Sequence, residues 1–249
     1  MASMTLCPQD RASAGLQERR FKVLCLHGIG TNGDIFEAQT ASLRYHLGPQ
    51  SLYEFEFLDG SYPWPAHPAV AAVYGAEQVY LSYHDGSAPS ALETLDQLAA
   101  YVLEDGPFDA IMGFSMGSSL AATLLLRPHN LASDRPNWAT ARAMIRSAIF
   151  LSGIRPLNIM ELQDDKVARA KREDVGPHSR WSYIEIPTVH VWSCNDSEIP
   201  GESRALADMC VEDKRVELLH SAGHAIPSEG LELESAAAAI RRLLQGTAG

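Results

Sequence analysis

The residues most able to do chemistry in this chain are one serine, one histidine and one carboxylate, spaced far apart. Ser115 lies in Gly113-Phe-Ser115-Met-Gly117. A serine hydroxyl attacks a carbonyl effectively only when a base takes its proton. It must also project from a sharp strand-to-helix turn, where glycines two residues before and two after relieve crowding. The base is expected further along. His224, in Ser221-Ala-Gly-His224-Ala-Ile-Pro227, follows the last apolar run. An acid is expected between them, to hold the imidazole tautomer and stabilise the imidazolium. Asp196, in Cys194-Asn-Asp196-Ser-Glu-Ile-Pro200, fits. The order serine, acid, histidine is that of acyl transfer at the edge of a parallel sheet. Glu198 is a rival acid and His220 a rival base. His27 is expected to support the glycine loop after it, and His190, inside an apolar run, to belong to the core.

A second motif competes. Gly28-Ile-Gly30-Thr-Asn-Gly33 follows a strand-like run and precedes a helical pattern, and Asp59 ends the next apolar run. That is the layout of a dinucleotide site. The nucleotide reading leaves Ser115, Asp196 and His224 without a role. The acyl-transfer reading uses all three and also explains the first two glycines. Backbone N–H groups there would hold a developing oxyanion. The expected donors are Met116, from the start of the helix after Ser115, and Ile29 or Gly30.

Positioning these residues requires a particular alternation. Apolar runs Phe21–Leu26, Tyr53–Leu58, Phe108–Met112, Ser147–Leu151, Thr188–Trp192 and Val216–Leu219 read as strands, most stopped by Gly, Ser or Asn. Helical patterns cover Asp34–Leu47, Ser90–Leu103, Ser118–Leu126, Glu202–Cys210 and Glu232–Leu244. Strand and helix in turn imply a mostly parallel sheet of about six strands, covered on both faces, with functional loops at the carboxyl ends. Two stretches break the alternation. Residues 59–89 are rich in Pro, Tyr, Trp, His and Gly and read as a pocket-lining loop. Residues 155–186 read either as a lid or as a surface helix pair.

The bulk figures suit one globular domain. The chain has 249 residues, 46% hydrophobic and 20% charged, with a formal net charge of −11. The acidic balance argues against a nucleic-acid partner. The short basic run from Lys166 to Arg172 sits among acids and reads as a solvated face. Four cysteines without metal-ligand spacing suggest reduced thiols and a cytoplasmic protein. Residues 1–19 are expected to be a loose polar tail before a single domain at 20–249. No segment reads as a secretory signal or a membrane span.

The chain resembles the fungal FSH-type serine hydrolases. The resemblance covers about residues 20 to 245 and rests on the segment from Leu26 to Phe36, Phe55–Asp59, Gly113–Gly117, Asn195-Asp196 with Pro200, and Gly223-His224 with Pro227. It implies a three-layer α/β-hydrolase and cleavage of a thioester or ester through an acyl-enzyme. Metal and organic cofactors are not expected. Within that family the chain looks like members that release polyketides from a carrier protein. This implies an acyl thioester substrate, an acyl carrier domain of a polyketide synthase as partner, and Tyr62, Trp64 and Tyr83 in the substrate pocket. Met116 departs from the Gln that many members have after the serine. A carboxylesterase acting on small free esters is the alternative, and a non-catalytic binding protein of the same fold is a more distant one.

Overall fold

The apolar runs assemble into one sheet in which the inner four are largely buried on both faces and the two edge runs, Tyr53–Leu58 and Arg215–Leu219, only partly. The computed structural model describes residues 19–75, 77–129 and 135–247. Of the expected tail, residues 1–18 lie outside the described residues, and Arg19 pairs with Asp109. In chain order the elements are β1 (Phe21–Leu26), α1 (Gly33–Gln39), α2 (Ala41–His46), β2 (Tyr53–Leu58), β3 (Tyr62–Pro63), α3 (Pro68–Tyr74), β4 (Leu81–Ser82), α4 (Ala88–Asp105), β5 (Ala110–Phe114) and α5 (Met116–Leu125). They continue with α6 (Pro136–Ala143), β6 (Ala148–Leu151), α7 (Ile159–Gln163), β7 (Thr188–Trp192), α8 (Glu202–Ala207), β8 (Arg215–Leu219) and α9 (Gly230–Gly246).

Six strands pair in the order β2-β1-β5-β6-β7-β8, every neighbour parallel. Parallel strands need crossovers, and the helices that supply them cover both faces. Alternation along each strand divides the core. Leu24 and Leu26 of β1 and Ala148 and Phe150 of β6 face a cluster with Leu95 and Leu98 of α4, Leu120 and Leu124 of α5, and Trp138 of α6. Val23, Cys25, Ile149 and Leu151 face the other side, with Phe36 of α1, Leu43 of α2 and Leu233, Ala237 and Ile240 of α9. This is the three-layer α/β-hydrolase architecture.

The expected strands are present, with β5 beginning two residues later than its apolar pattern and running into Phe114. The single helix expected over Asp34–Leu47 is two. Thr40 separates them, its hydroxyl donating to Phe36 O at 2.8 Å, a side-chain bond that competes with helix continuation. The 155–186 segment holds one short α-helix, α7, and a 3-10 turn at Arg172–Asp174, and buries Leu157, Ile159, Leu162, Val175, Trp181 and Ile184 in the core.

His190 lies fully inside the sheet beneath Phe150, ring centroids 5.1 Å apart, and burial pushes its imidazole down to about 3. Above its ordinary pKa of 6.5 the group is neutral folded or unfolded. Below that value the unfolded chain takes up a proton that the folded chain refuses, so stability falls as pH falls from about 6.5 toward 3. This one group removes about 2 kcal/mol between pH 7 and pH 5. Urea unfolding at the two pH values checks this, since a His190→Gln variant should lose about that much less over the same interval.

Candidate active site

β5 delivers Ser115 at the carboxyl edge of the sheet, at the turn into α5. Its backbone is held at φ 51° and ψ −115°, a conformation that a residue with a Cβ rarely adopts. The Ser115 N–H stays bonded to Leu151 O at 3.1 Å, so the strand's pairing continues up to the turn. The flanking glycines are required by contact. A Cβ on Gly113 would lie 2.4 Å from Ser118 N, and one on Gly117 would lie 2.2 Å from Leu26 O. Both obstacles are backbone, so relief requires α5 to move off the sheet. Gly117→Ala should therefore lower the melting temperature by about 5–10 °C in differential scanning fluorimetry.

Loops at the ends of neighbouring strands bring the other two side chains to Ser115. Asp196 follows β7, and its Oδ1 accepts the N–H groups of Glu198 at 3.0 Å and Ile199 at 3.2 Å. Its Oδ2 lies 2.7 Å from His224 Nδ1. His224 follows β8, and its Nε2 lies 3.0 Å from Ser115 Oγ. The imidazole rests against Phe114, ring centroids 5.1 Å apart. The His224 and Asp196 side chains are only 7% and 5% exposed, so water competes little for their bond. A carboxylate at Nδ1 fixes the proton there and leaves Nε2 as an acceptor toward the hydroxyl.

The rivals lie elsewhere. Glu198 Oε2 bonds His67 Nε2 at 2.9 Å, while the carboxylate at His224 Nδ1 is that of Asp196. His220 accepts the Ala222 N–H at Nδ1, 3.2 Å, and burial pushes its imidazole pKa down. His27 is fully buried. Its Nε2 accepts the Gly60 N–H at 2.9 Å and its Nδ1 lies 2.7 Å from Gly28 O, so it ties the ends of β1 and β2 together below the glycine loop.

Of the three N–H groups expected as oxyanion donors, the structure gives one a partner of its own. The Met116 N–H begins α5 and has no acceptor within that helix. Gly30 is corrected, because its N–H is bonded to Leu81 O at 2.9 Å and is unavailable to a ligand. Of the two expected on that loop, Ile29 is the remaining candidate. The same loop is closed to a dinucleotide. Asp59 Oδ1 takes the Gly33 N–H at 2.7 Å and Asn32 caps Ile35 N at 2.8 Å. The chain's own groups thus fill the helix start where a pyrophosphate would bind.

Beside Ser115 and His224 lies a cleft of about 410 Å³, a size suited to a small-molecule ligand. Ile29, Val70, Val73, Tyr74, Ile154, Ile199 and Ile226 supply apolar walls, and His67 and Glu198 a polar edge. The assignment of Tyr62, Trp64 and Tyr83 to this pocket is corrected, since none of them lines it. Tyr83 is buried beneath the loop, accepting the His27 N–H at 2.7 Å, donating to Leu58 O at 3.0 Å and stacking on His27. The Trp64 N–H bonds Tyr80 O at 2.8 Å, while the Tyr62 hydroxyl donates to Glu93 at 3.3 Å. Residues 59–89 do line the cleft, but through α3, which reads as plain loop in the sequence. No residue of 155–186 is among the cleft's lining. A second cleft of about 420 Å³, between α6 and residues 182–186, shares no residue with it.

Comparison with known proteins agrees with this architecture. A family model described as "Serine hydrolase (FSH1)" matches residues 17–236. Esterase FPY3 of Fusarium mangiferae is 35% identical over 225 residues, covering 90% of this chain and 96% of that protein. Probable esterase tazC of Aspergillus terreus is 27% identical, covering 78% and 82%. Among solved structures, a carboxylesterase from Mesorhizobium loti superimposes with a TM-score of 0.55 at 17% identity, covering 92% of this chain and 90% of that one. Arabidopsis thaliana SOBER1 gives 0.53 at 16% identity, covering 92% and 100%. At these identities the two structures speak for the fold alone.

Proposed function

Because this chain belongs to the FSH1 family of serine hydrolases, we propose that it hydrolyses acyl thioesters through an acyl-enzyme on Ser115. The observation that carries this reading is the Ser115 Oγ to His224 Nε2 separation of 3.0 Å beside an apolar cleft. Ser115 Oγ attacks the carbonyl carbon while its proton passes to His224 Nε2, and the charge that forms on His224 is offset by Asp196. The oxygen that becomes negative is met by the Met116 and Ile29 N–H groups, with the start of α5 behind it. Collapse breaks the carbon–sulfur bond, and the departing thiol takes the proton from His224. Water then repeats the cycle on the acyl-serine, releasing a carboxylic acid and restoring the hydroxyl.

The preferred acyl group is medium to long and apolar, matching Val70, Val73, Ile154, Ile199 and Ile226 around the cleft. The thiol belongs to a carrier or coenzyme-like group, with an acyl carrier domain of a polyketide synthase as the proposed partner. A carboxylesterase is the second reading, favoured by the name esterase carried by the relative at 35% identity. Identical acyl chains presented on a thiol and on an aryl alcohol separate the two. A kcat/KM higher for the thioester, after correction for each substrate's spontaneous hydrolysis, supports the first reading, and the reverse supports the second.

A further inference from the structure

Part of the cleft wall is carried by an arm, α3 and its flanks, outside the main sheet. α3 reads Pro68-Ala-Val-Ala-Ala-Val-Tyr74 and contains no charge. It buries Val70 in a small apolar group with Ile35 and Tyr80, separate from the two main cores. Val73 is 75% exposed although it lines the cleft. The arm's flanks are pinned by backbone bonds. Trp64 N–H donates to Tyr80 O at 2.8 Å and Leu81 N–H to Thr31 O at 2.7 Å. At the C-terminal end of the helix Gly75 adopts φ 80°, a conformation glycine reaches without strain.

A side-chain contact joins this arm to the loop that carries Asp196. His67 Nε2 lies 2.9 Å from Glu198 Oε2, with side chains 27% and 43% exposed. Both ends of this contact are attached to the active site. The Glu198 N–H donates to Asp196 Oδ1 at 3.0 Å, and the His67 N–H donates to Gly30 O at 3.0 Å, next to the Ile29 donor. The pair therefore links the residue at the start of α3 to the loop that carries Asp196, at the polar edge of the cleft. A partly exposed pair of this kind is weak enough to open under the load of a ligand.

We propose that His67 and Glu198 form a latch that selects among acyl chains, holding α3 against the cleft so that long chains must open the pair while short ones need not. The inference rests on the hydrolase reading above and deepens it. With the latch intact, part of a long chain's binding energy goes into opening the arm, and that part is recovered when the pair is removed.

The test compares kcat/KM for p-nitrophenyl decanoate and p-nitrophenyl acetate in the unaltered protein and in His67→Ala, Glu198→Ala, the double variant and His67→Gln. The decanoate-to-acetate ratio should rise about fivefold in each of the first two, the factor that a partly exposed ion pair is worth. It should rise no further in the double variant, because both changes remove the same bond. His67→Gln, which keeps a donor near the Nε2 position, should restore most of the original ratio. A ratio unmoved in both single variants, or equal losses on both esters, overturns the latch while leaving the hydrolase reading intact. Hydrolysis of neither ester by the unaltered protein overturns the latch by removing its premise.

Discussion

Replacing Ser115 by alanine should lower kcat/KM by roughly 10⁴- to 10⁶-fold on any acyl substrate the protein turns over, with the fold unchanged. The loss is large because serine and histidine act as one unit. Without the hydroxyl, His224 can at best activate water, and no acyl-enzyme forms. Stability is expected to survive. Alanine keeps the Cβ that Ser115 already holds at φ 51°, so no new strain enters the turn. Among the described residues the hydroxyl bonds His224. A melting temperature within about 2 °C of the parent, together with lost turnover, is the expected pair of results. Turnover within tenfold of the parent would contradict the assignment.

Asp196→Asn should lower kcat by about 10³- to 10⁴-fold, and the hydrogen bonds around Asp196 dictate why. Oδ1 accepts two backbone N–H groups, from Glu198 and Ile199. An asparagine must therefore place its carbonyl oxygen there, since an amide NH₂ would face two donors. Its NH₂ is then left pointing at His224 Nδ1, which must become the acceptor. The proton moves to Nε2, the nitrogen that faces Ser115, and the base can no longer take the serine's proton. Because the steric fit is nearly unchanged, KM should move by less than about threefold. A kcat within tenfold of the parent would contradict the orientation of the histidine described above.

The central strands and the glycine-flanked serine are legible in the sequence for a common reason. A parallel strand buried on both faces gives an unbroken apolar run, and a tight strand-to-helix turn admits only small residues at 113 and 117. The acid is less legible. Asp196 and Glu198 share one loop, and only the Asx-type turn onto Glu198 N and Ile199 N decides which carboxylate faces the imidazole. The cleft is the least legible part. Aromatic residues in 59–89 suggest pocket contacts, but Tyr83 spends its ring and hydroxyl beneath the glycine loop. The actual wall is α3, signalled only by Pro68 at a helix start followed by small and β-branched residues. Gly30 shows the same limit. Its type fits an oxyanion loop, but its N–H is consumed by Leu81 O, an antiparallel contact between residues 51 positions apart that no local pattern encodes. Ile154, Ile199 and Ile226 follow the ends of β6, β7 and β8, so nearness to Ser152-Gly153, Asp196 and His224 is the signal by which they could have been chosen.

The most direct measurement of the central claim is intact-protein mass spectrometry after rapid quenching with an octanoyl thioester, followed by peptide mapping. The expected result is a mass gain of one octanoyl group on the peptide containing Ser115, lost with time as water releases the acid, and absent in Ser115→Ala. Acylation at another residue, or turnover of the thioester by Ser115→Ala at the parent rate, would contradict it.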